Sequence, residues 1–266
     1  QWKDFGISRK TVKRNVMTYG YSSKQFGFFE QLREDVMTPL TDKVLLKELE
    51  KHPFGEDAGY DAAKFLARHN WQAVNEVISS AQQGMAFFQQ ICGALAHEGK
   101  HFHWVTPSGF PAAQFYPSNR NKKIKVFLYD REAEMPVRSQ VTLRELDSNR
   151  VDKRKSKTAV SPNVIHSLDS AHLLNTVLDC VNGEEEPMSF FLIHDSFATT
   201  ANKTQVMYEA IRSTFIEMYD SESWYENLLS QAKRQLDDPD SNRVPEPPEM
   251  GELNLAQIAD SKYCFS

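Results

Sequence analysis

The sequence predicts a mostly helical α+β fold. Long proline-free segments in the first hundred residues place apolar side chains three or four positions apart, which is typical of amphipathic helices. The middle of the chain instead alternates polar and apolar residues and is rich in β-branched side chains, which indicates strands. With 266 residues, 40% of them hydrophobic, the chain can bury one large core or two modest ones. This composition excludes general disorder.

The first part of the chain predicts a series of helices. Ser8 is a candidate N-cap for a helix over Arg9–Tyr21. A second helix over 23–37 is expected to stop before Pro39, because proline cannot donate the hydrogen bond that a helix interior requires. The remaining helices of this part are predicted over 61–70 and 71–97.

The second half begins with strands and returns to helices. The alternation over 122–146, with the polar tip REAEMP, predicts a long hairpin with too little apolar surface for burial on both faces. Ser161 followed by Pro162 predicts the start of a helix that ends at Gly183. The apolar run Phe190–Ile193 predicts a buried strand, followed by the turn HDS and a return strand. The last elements predicted are a helix over 203–218, a proline-rich connector over 244–248, and a docked tail over 263–265.

The overall charge is mildly acidic, with 31 lysines and arginines against 36 acidic residues and a net charge of -5. This balance argues weakly against nucleic-acid binding. The basic residues are nevertheless clustered, and the local field matters more than the total. A charged run is usually a solvated surface, so each cluster needs a second reason before it indicates a site. The three clusters lie at Arg9, Lys10, Lys13 and Arg14, at Arg120, Lys122, Lys123 and Lys125, and over 150–157.

The cysteines and the hydropathy pattern exclude two further classes of protein. Cys92, Cys180 and Cys264 lie far apart and form neither a disulfide framework nor a zinc-binding pattern, so a reducing cytoplasm is expected. No apolar stretch approaches the ~20 residues of a membrane helix, and we expect no membrane partner.

Arg9, Lys13, Met17 and Tyr21 follow one another at intervals of four residues. On an α-helix this spacing forms one slowly drifting stripe. The two neighbouring cations repel each other, so a polyanion such as a triphosphate would stabilise them. Tyr21 would then meet the sugar or the base of the same nucleotide. An ordinary amphipathic helix with a basic end explains the spacing equally well.

Two further groups contain residues suited to chemistry. His194, Asp195 and Ser196 lie at the turn of the apolar hairpin, where a carboxylate on a rigid support suits a metal ion. Aspartate is also common in turns for purely local reasons. His166 lies off the apolar stripe of its helix and can meet a ligand, although a histidine with a structural role is an equal alternative.

Four segments in this order resemble the C-terminal part of the single-subunit, bacteriophage-type RNA polymerases, a family that includes mitochondrial enzymes. They are SRKTVKRNVMTYGYSSKQFGF, SPNVIHSLDSAHL, FLIHDSFATT and GELNLAQIADSKYCFS. The resemblance covers nearly the whole chain. It implies an incomplete right-hand polymerase fold, with a fingers portion over 1–165, including the hairpin over 122–146, and part of the palm over 166–266.

The resemblance also implies roles for individual residues. Arg9 and Lys13 would hold the triphosphate of the incoming nucleotide, and Lys13 would donate a proton to the leaving pyrophosphate. Tyr21 would favour ribose over deoxyribose. The resemblance implies further contacts as follows: Arg14 and Met17 to the nucleotide, His166 to the minor groove of the RNA–DNA hybrid, and the Phe265 region beneath the active site.

The resemblance places the metal chemistry at the turn and the promoter contacts on the long hairpin. Asp195, with His194 beside it, would be one of two carboxylates that hold two Mg²⁺ ions. Arg138 and Gln140 alternate along one strand, and their side chains suit guanine and adenine edges. Lys123 and Lys125 belong to the same nucleic-acid-binding set.

The sequence departs from the family pattern at two places. Ser22 stands where the family usually has a glycine, while Gly20 precedes Tyr21, so we expect the backbone freedom at this hinge to be placed differently. The second metal-binding aspartate of the family has no counterpart here. We therefore expect a partial chain that does not polymerise alone and needs the N-terminal polymerase portion or another chain.

The implied partners are template and promoter DNA, the RNA transcript and NTPs. The expected location is the cytoplasm of an infected bacterial host, ahead of the mitochondrial matrix. Two alternatives remain. A related single-chain DNA polymerase is disfavoured by Met17 and Ser196, where that family generally has an aromatic residue and a glutamate. A non-catalytic nucleic-acid-binding module is the other.

Overall fold

The structure, a computed structural model, describes residues 1–130, 132, 134–183, 187–220 and 223–264. The predicted contact of Phe265 lies outside these residues. The α-helices are α1 (Trp2–Phe5), α2 (Arg9–Tyr19), α3 (Gln25–Leu32), α4 (Thr38–Leu45), α5 (Tyr60–Val77), α6 (Ser79–His97), α7 (Lys153–Asn182), α8 (Thr204–Asp220) and α9 (Trp224–Lys233). The strands are β1 (Phe102–Val105), β2 (Pro111–Gln114), β3 (Pro117–Asp130), β4 (Met135–Val151), β5 (Phe190–Ile193) and β6 (Ser196–Thr199).

The mostly helical α+β class is confirmed, because helices dominate and the strands form small sheets. Within the described ranges each sheet is an antiparallel pair: β1 with β2, β3 with β4, and β5 with β6. The arrangement of these elements as part of a right-hand polymerase stays a prediction.

The chain divides into two compact units. The first contains Gln1–Gln89 with Ser161–Ile165, and the second contains Gln90–Val160 with His166–Ser266. The long hairpin therefore belongs to the second unit. The assignment of 1–165 to fingers and 166–266 to palm is a functional division, and it stays a prediction.

The core of the first unit is built around aromatic side chains. Tyr19 and Phe28 each contact Trp71 edge-on, with ring centroids 5.2 Å and 5.3 Å away. Trp2 is buried as well, and its indole N–H donates to the Ala62 carbonyl at 2.8 Å. These contacts join α1, α2, α3 and α5 into one apolar interior.

The second unit packs its terminal hairpin against helices. Cys180 of α7 and Met207 of α8 are buried, and Phe190 and Phe197 of the β5–β6 hairpin pack against this cluster. The prediction that β5 is buried along its whole length is wrong, since Phe191 is 70% exposed. Alternate residues of a strand face opposite sides, so Phe191 points away from the side on which Phe190 packs.

The predicted stop before Pro39 is wrong. A π-helical turn over Arg33–Met37 follows α3, and α4 continues with Pro39 at its second residue. The Thr38 amide donates to the Arg33 carbonyl across the π-turn, and the next residue, Pro39, has no N–H that would need an acceptor. The π-turn shifts the hydrogen-bond pattern just before the proline.

The predicted start of a helix at Ser161 is also wrong. Helix α7 begins after Asp152, whose carboxylate accepts a hydrogen bond from the Lys155 amide at 2.9 Å, and it runs through Pro162. A proline inside a helix costs about 3 kcal/mol. Val160 and Val164 on either side of it are fully buried, and burial of such side chains stabilises by ~1.5–3 kcal/mol each.

Other expectations fare as follows. Gly183 follows the last residue of α7, as predicted. Cys92 and Cys180 are buried free thiols, and Cys264 is half-buried and free. Tyr263 does not dock, since it is 84% exposed. Among the described residues, every helix falls short of the length and apolar character needed to cross a bilayer.

Candidate active site and nucleic-acid interface

Helix α2 presents a charged face to solvent. It begins after Ser8, the predicted N-cap, whose amide donates to Thr11 Oγ1 at 3.3 Å. Arg9, Lys13 and Met17 are all exposed, and their spacing places them on one side of the helix. The structure therefore brings together the first three members of the predicted stripe.

The opposite side of α2 is fixed by buried polar contacts. Asn15 is 1% exposed; its amide donates to Gln31 Oε1 at 2.8 Å, and its Oδ1 accepts from Asn70 at 3.0 Å. One turn later the Tyr19 hydroxyl donates to Asn75 Oδ1 at 2.7 Å. Burial raises the pKa of Tyr19, so it stays a neutral donor. The exposed face is thus held on a rigid support.

Arg14 differs from the other cations of this helix. Its guanidinium forms ion pairs with Asp35 at 2.7 Å and with Glu34 at 3.0 Å. The hydrogen bond to Asp35, and to a smaller extent the one to Glu34, raises the pKa of Arg14 above its usual value. Arg14 ties α2 to the π-turn in this structure, whereas Arg9 and Lys13 have no ion-pair partner within 4.0 Å among the described residues.

The helix ends two residues before Tyr21, so Tyr21 lies in the following turn rather than on α2. The end is a Schellman motif: the Ser23 amide donates to the Thr18 carbonyl at 3.1 Å and the Ser22 amide donates to the Tyr19 carbonyl at 3.0 Å. This motif needs a left-handed residue, and Ser22 provides it with a φ of 66°. Tyr21 is half-buried beside it.

The expectation that the backbone freedom at this hinge is placed differently is wrong. Gly20 has the ordinary right-handed helical conformation, with φ of -58°. The left-handed residue lies instead at Ser22, the position where the resemblance expects glycine. A side chain is therefore tolerated at this left-handed position.

Asp195 lies at the tip of the β5–β6 hairpin. Ile193 pairs with Ser196, which leaves a turn of only two residues, His194 and Asp195. His194 has a φ of 53°, in the left-handed region. Both turn side chains are exposed, as the sequence predicts. The local β pattern and the tight turn together aim a carboxylate into solvent.

Helix α7 holds this hairpin through His172. The ring lies 5.8 Å from Phe197 and 5.5 Å from Phe215, and its Nε2 is 2.9 Å from the Ile211 carbonyl oxygen. Burial lowers the pKa of His172, because the charged ring would lose its hydration. A neutral His172 therefore joins α7, α8 and the hairpin.

Asp169 is a further candidate site residue, to which the sequence analysis assigns no role. It lies three residues after His166 and three before His172, so all three share a side of α7. Partial desolvation raises the pKa of Asp169, although much of its side chain is exposed; His166 opposes this rise and Asp195 reinforces it. His166, Asp169 and Asp195 therefore share one electrostatic neighbourhood in the second unit.

The donor set fits Mg²⁺ only in part. Exposed carboxylate oxygens such as those of Asp195 are the ligands that this ion prefers. Among the described residues, however, no group of three or more His, Cys, Asp or Glu side chains can hold a metal ion. The expectation that a second carboxylate from outside this chain completes the site stays a prediction.

The β3–β4 hairpin is confirmed and is longer than predicted. Its register places Arg138 opposite Phe127 and Gln140 opposite Lys125, and Lys123 lies opposite Thr142. Directly opposed residues share a face, and alternate residues of one strand share it too. The four predicted nucleic-acid-binding residues of this hairpin therefore lie on one face.

Comparison with known proteins places the chain in a class. The family model described as DNA-dependent RNA polymerase matches residues 1–243. The chain belongs to the DNA-dependent RNA polymerase family. This confirms the resemblance seen in the sequence and favours it over the DNA polymerase alternative.

The individual relatives are phage and plant organellar RNA polymerases, and they support the single-subunit type of enzyme. The chain is 31% identical over 278 residues to the DNA-directed RNA polymerase of Enterobacteria phage T3 and 30% identical over 278 residues to T7 RNA polymerase of Escherichia phage T7. Each alignment covers 100% of this chain and 30% of the relative. DNA-directed RNA polymerase 1, mitochondrial, of Nicotiana sylvestris is 27% identical over 260 residues, with 98% of this chain and 23% of the relative covered. The chain thus spans under a third of these relatives.

Proposed function

We propose that this chain is the C-terminal catalytic part of a DNA-directed RNA polymerase. It would transfer nucleotides from NTPs to an RNA 3′ end under the direction of a DNA template. The observation that carries this proposal is the family match, which extends over residues 1–243 and includes the helix, the α7 segment and the hairpin turn. Phosphoryl transfer needs alignment and charge neutralisation more than covalent help, and the exposed side chains described above suit both.

The incoming nucleotide would bind to the exposed face of α2. Arg9 offers a planar fork for phosphate oxygens, while Lys13 offers a mobile charge and a proton. Met17 and the half-buried Tyr21 would meet the sugar and base. Arg14 contributes by holding the helix through its ion pairs, and it reaches the nucleotide only if Asp35 and Glu34 release it.

Asp195 would hold Mg²⁺ together with a second carboxylate from outside this chain, and His194 would flank it. When bound, two such ions would neutralise charge on the attacking and leaving oxygens. The RNA 3′ hydroxyl would lose its proton to solvent as its oxygen bonds to the α-phosphorus and the bond to pyrophosphate breaks, and Lys13 would protonate the leaving pyrophosphate. His166 would contact the minor groove of the hybrid.

The remaining partners follow from the same proposal. The β3–β4 hairpin would read promoter DNA through Arg138 and Gln140, with Lys123 and Lys125 beside them. Residues 1–165 would form fingers and residues 166–266 part of the palm. Activity would need the other polymerase regions that the longer relatives contain. A phage-type enzyme of this kind would act in the cytoplasm of an infected bacterium, while plant relatives are named as mitochondrial or chloroplastic.

A chimera tests the catalytic proposal. The aligned C-terminal segment of T7 RNA polymerase is replaced by this chain, and RNA synthesis from NTPs and from dNTPs is measured. We expect NTP-dependent synthesis that Asp195→Asn lowers by at least about 100-fold, because electrostatic stabilisation of phosphoryl transfer is lost. Asp240→Asn, at another exposed aspartate, is the matched control. Intact transcription with Asp195→Asn would support a non-catalytic module, and preference for dNTPs would support a DNA polymerase.

Nucleotide binding can be tested on the 266-residue chain itself. Lys13→Ala is expected to weaken binding of a fluorescent ATP analogue several-fold, since it removes one of the two stripe cations. Lys10→Ala is the matched control, because Lys10 lies on the same helix but off the stripe. Equal losses in both variants would indicate a general effect of charge and contradict the role of the stripe.

A further inference from the structure

The register of the β3–β4 hairpin separates two chemically different faces. One face, which we call the reading face, alternates with the other along each strand. Its members are Asn121, Lys123, Lys125, Phe127 and Tyr129 on β3 and Arg138, Gln140, Thr142 and Arg144 on β4. The opposite face carries mainly apolar side chains: Ile124, Val126 and Leu128 on β3 and Val137, Val141 and Leu143 on β4.

This separation decides which face meets nucleic acid. DNA attracts cations to its phosphates and offers hydrogen-bonding edges in its major groove. The reading face has both kinds of side chain along its length, whereas the other face has Ser139 as the one polar residue between Ile124 and Leu128 and its cations, Lys122 and Arg120, only toward the base of the hairpin. A two-stranded ribbon also fits a major groove that is about 12 Å wide.

The row along β4 continues beyond the two residues that the sequence singles out. Arg138 and Gln140 are followed on the same face by Thr142 and Arg144, which lie opposite Lys123 and Asn121. All four β4 side chains are accessible to solvent. Among the residues that the structure describes, no hydrogen bond or ion pair engages the side chain of Thr142 or Arg144.

The spacing of this row matches the spacing of base pairs. Alternate residues of an antiparallel strand are about 6.8 Å apart, since the rise is ~3.4 Å per residue. Two base-pair steps of B-DNA also cover about 6.8 Å. From Arg138 to Arg144 the row spans roughly 20 Å, or about six base-pair steps.

We propose that Arg144 is a further specificity-determining residue, which reads a guanine beyond the base pairs met by Arg138 and Gln140. Thr142 lies between and contacts a thymine methyl group. Arginine binds the O6 and N7 atoms of guanine through two parallel hydrogen bonds, and threonine suits the methyl group. This inference rests on the proposed promoter-reading role of the hairpin and extends that role along β4.

Selection from random duplex DNA by the 266-residue chain tests the inference. We expect the wild-type chain to enrich a sequence, and Arg144→Ala to relax the preference at one base pair by roughly tenfold. Arg138→Ala should relax a different base pair, about six steps away. Arg120→Ala is the matched control, because Arg120 lies opposite Glu145 on the other face and should leave every preference unchanged.

Arg144→Lys separates base reading from simple charge. Lysine keeps the positive charge but lacks the planar fork, so the preference should fall while affinity for non-specific DNA is retained. Uniform weakening on all sequences by Arg144→Ala, with a smaller salt slope, would show a phosphate contact and overturn the inference. Relaxation of the same base pair by Arg138→Ala and Arg144→Ala would also overturn it.

The proposed function and this inference fail in distinguishable ways. If wild-type chain enriches a sequence that Arg138→Ala changes and Arg144→Ala does not, the inference alone is wrong. If the wild-type chain enriches no sequence, the promoter-reading role of the hairpin is wrong, and the inference falls with it. Circular dichroism of each variant checks that the fold is retained, which we expect because these positions are exposed.

Discussion

Two regions of the molecule place a candidate functional residue next to a strained backbone position. At the end of α2, Tyr21 precedes Ser22, which has a φ of 66°. At the tip of the β5–β6 hairpin, Asp195 follows His194, which has a φ of 53°. A side chain in the left-handed region costs roughly 1–2 kcal/mol, so the surroundings must compensate at both places.

The two regions compensate in different ways. Ser22 accepts a hydrogen bond from the Gln89 side chain at 3.1 Å, and its turn is closed by the backbone bonds of the Schellman motif. No side-chain hydrogen bond of His194 occurs among the described residues, and the strand pairing alone closes its turn. The helix end is thus held by a side-chain hydrogen bond in addition to backbone bonds, whereas the hairpin tip is held by backbone pairing alone among the described contacts.

The largest predicted effect breaks the packing at the helix end. Tyr19→Ala should destabilise the protein by about 3–5 kcal/mol, because it removes a buried ring that contacts Trp71. Tyr19→Phe keeps the ring, loses the bond to Asn75, and should cost only about 1 kcal/mol. Urea unfolding measures both, and equal losses would contradict the dominance of packing.

A second prediction concerns the pH dependence of stability that His172, which joins α7 and α8 to the β5–β6 hairpin, should cause. The pKa of His172 is lowered in the folded state, so above the unfolded value of about 6.5 the ring is neutral in both states and contributes no pH dependence. As the pH falls below 6.5 the unfolded state takes up the proton first, and stability is lost until the folded pKa is reached.

Thermal unfolding at pH 7.5 and pH 5.5 measures this effect. His172→Gln should reduce the loss on acidification, and the remaining loss would come from groups such as His101, whose pKa is also lowered by burial. His69, an exposed histidine in the first unit, provides the matched control as His69→Gln. An unchanged loss in His172→Gln would refute the role of His172.

Glycine substitutions at His194 and Ser22 measure how much the left-handed backbone conformation costs at each of the two positions. His194→Gly should stabilise the protein by about 1 kcal/mol, since glycine adopts a positive φ without steric strain. Ser22→Gly should be close to neutral, because relief of strain is offset by loss of the hydrogen bond from Gln89. A larger gain at Ser22 than at His194 would reverse the comparison.

A gain somewhat smaller than that of His194→Gly is expected at Gly20. Gly20→Ala should stabilise the protein by about 0.5–1 kcal/mol, because the residue has a right-handed helical conformation that alanine adopts without strain, and alanine reduces the conformational entropy of the unfolded chain. The nearest atom to an added Cβ is the Met17 carbonyl oxygen at an ordinary 3.9 Å. Destabilisation by Gly20→Ala would show that the hinge uses this residue as well as Ser22. Denaturant unfolding resolves a change of this size.

Features fixed by local chemistry could be predicted from the sequence. The cap at Ser8 and the tight turn at Asp195 each depend on neighbours within a few positions, and the long hairpin follows from the alternation within each of its strands. The exposed stripe of Arg9, Lys13 and Met17 follows from helical spacing alone. These are also the residues that carry the candidate site.

Features decided by tertiary contacts could not be predicted. The local sequence predicts a helix boundary at both Pro162 and Pro39. Helix α7 nevertheless continues through Pro162, whose neighbours are buried, and a π-turn precedes Pro39. The interaction of Asp169 with Asp195 joins residues that are far apart in the chain, so no local pattern reveals it. The spacing of Asp169 from His166 was the one available signal.

Because of the π-turn before Pro39, the number of residues at this point of the chain determines how the following helix is oriented. A π-turn accommodates one more residue per turn than the α-helix around it, and successive residues of an α-helix are rotated by about 100°. Deleting one residue from Arg33–Met37 would restore regular winding and swing Glu34 or Asp35 away from Arg14. An insertion or deletion here would therefore rotate α4 relative to α2.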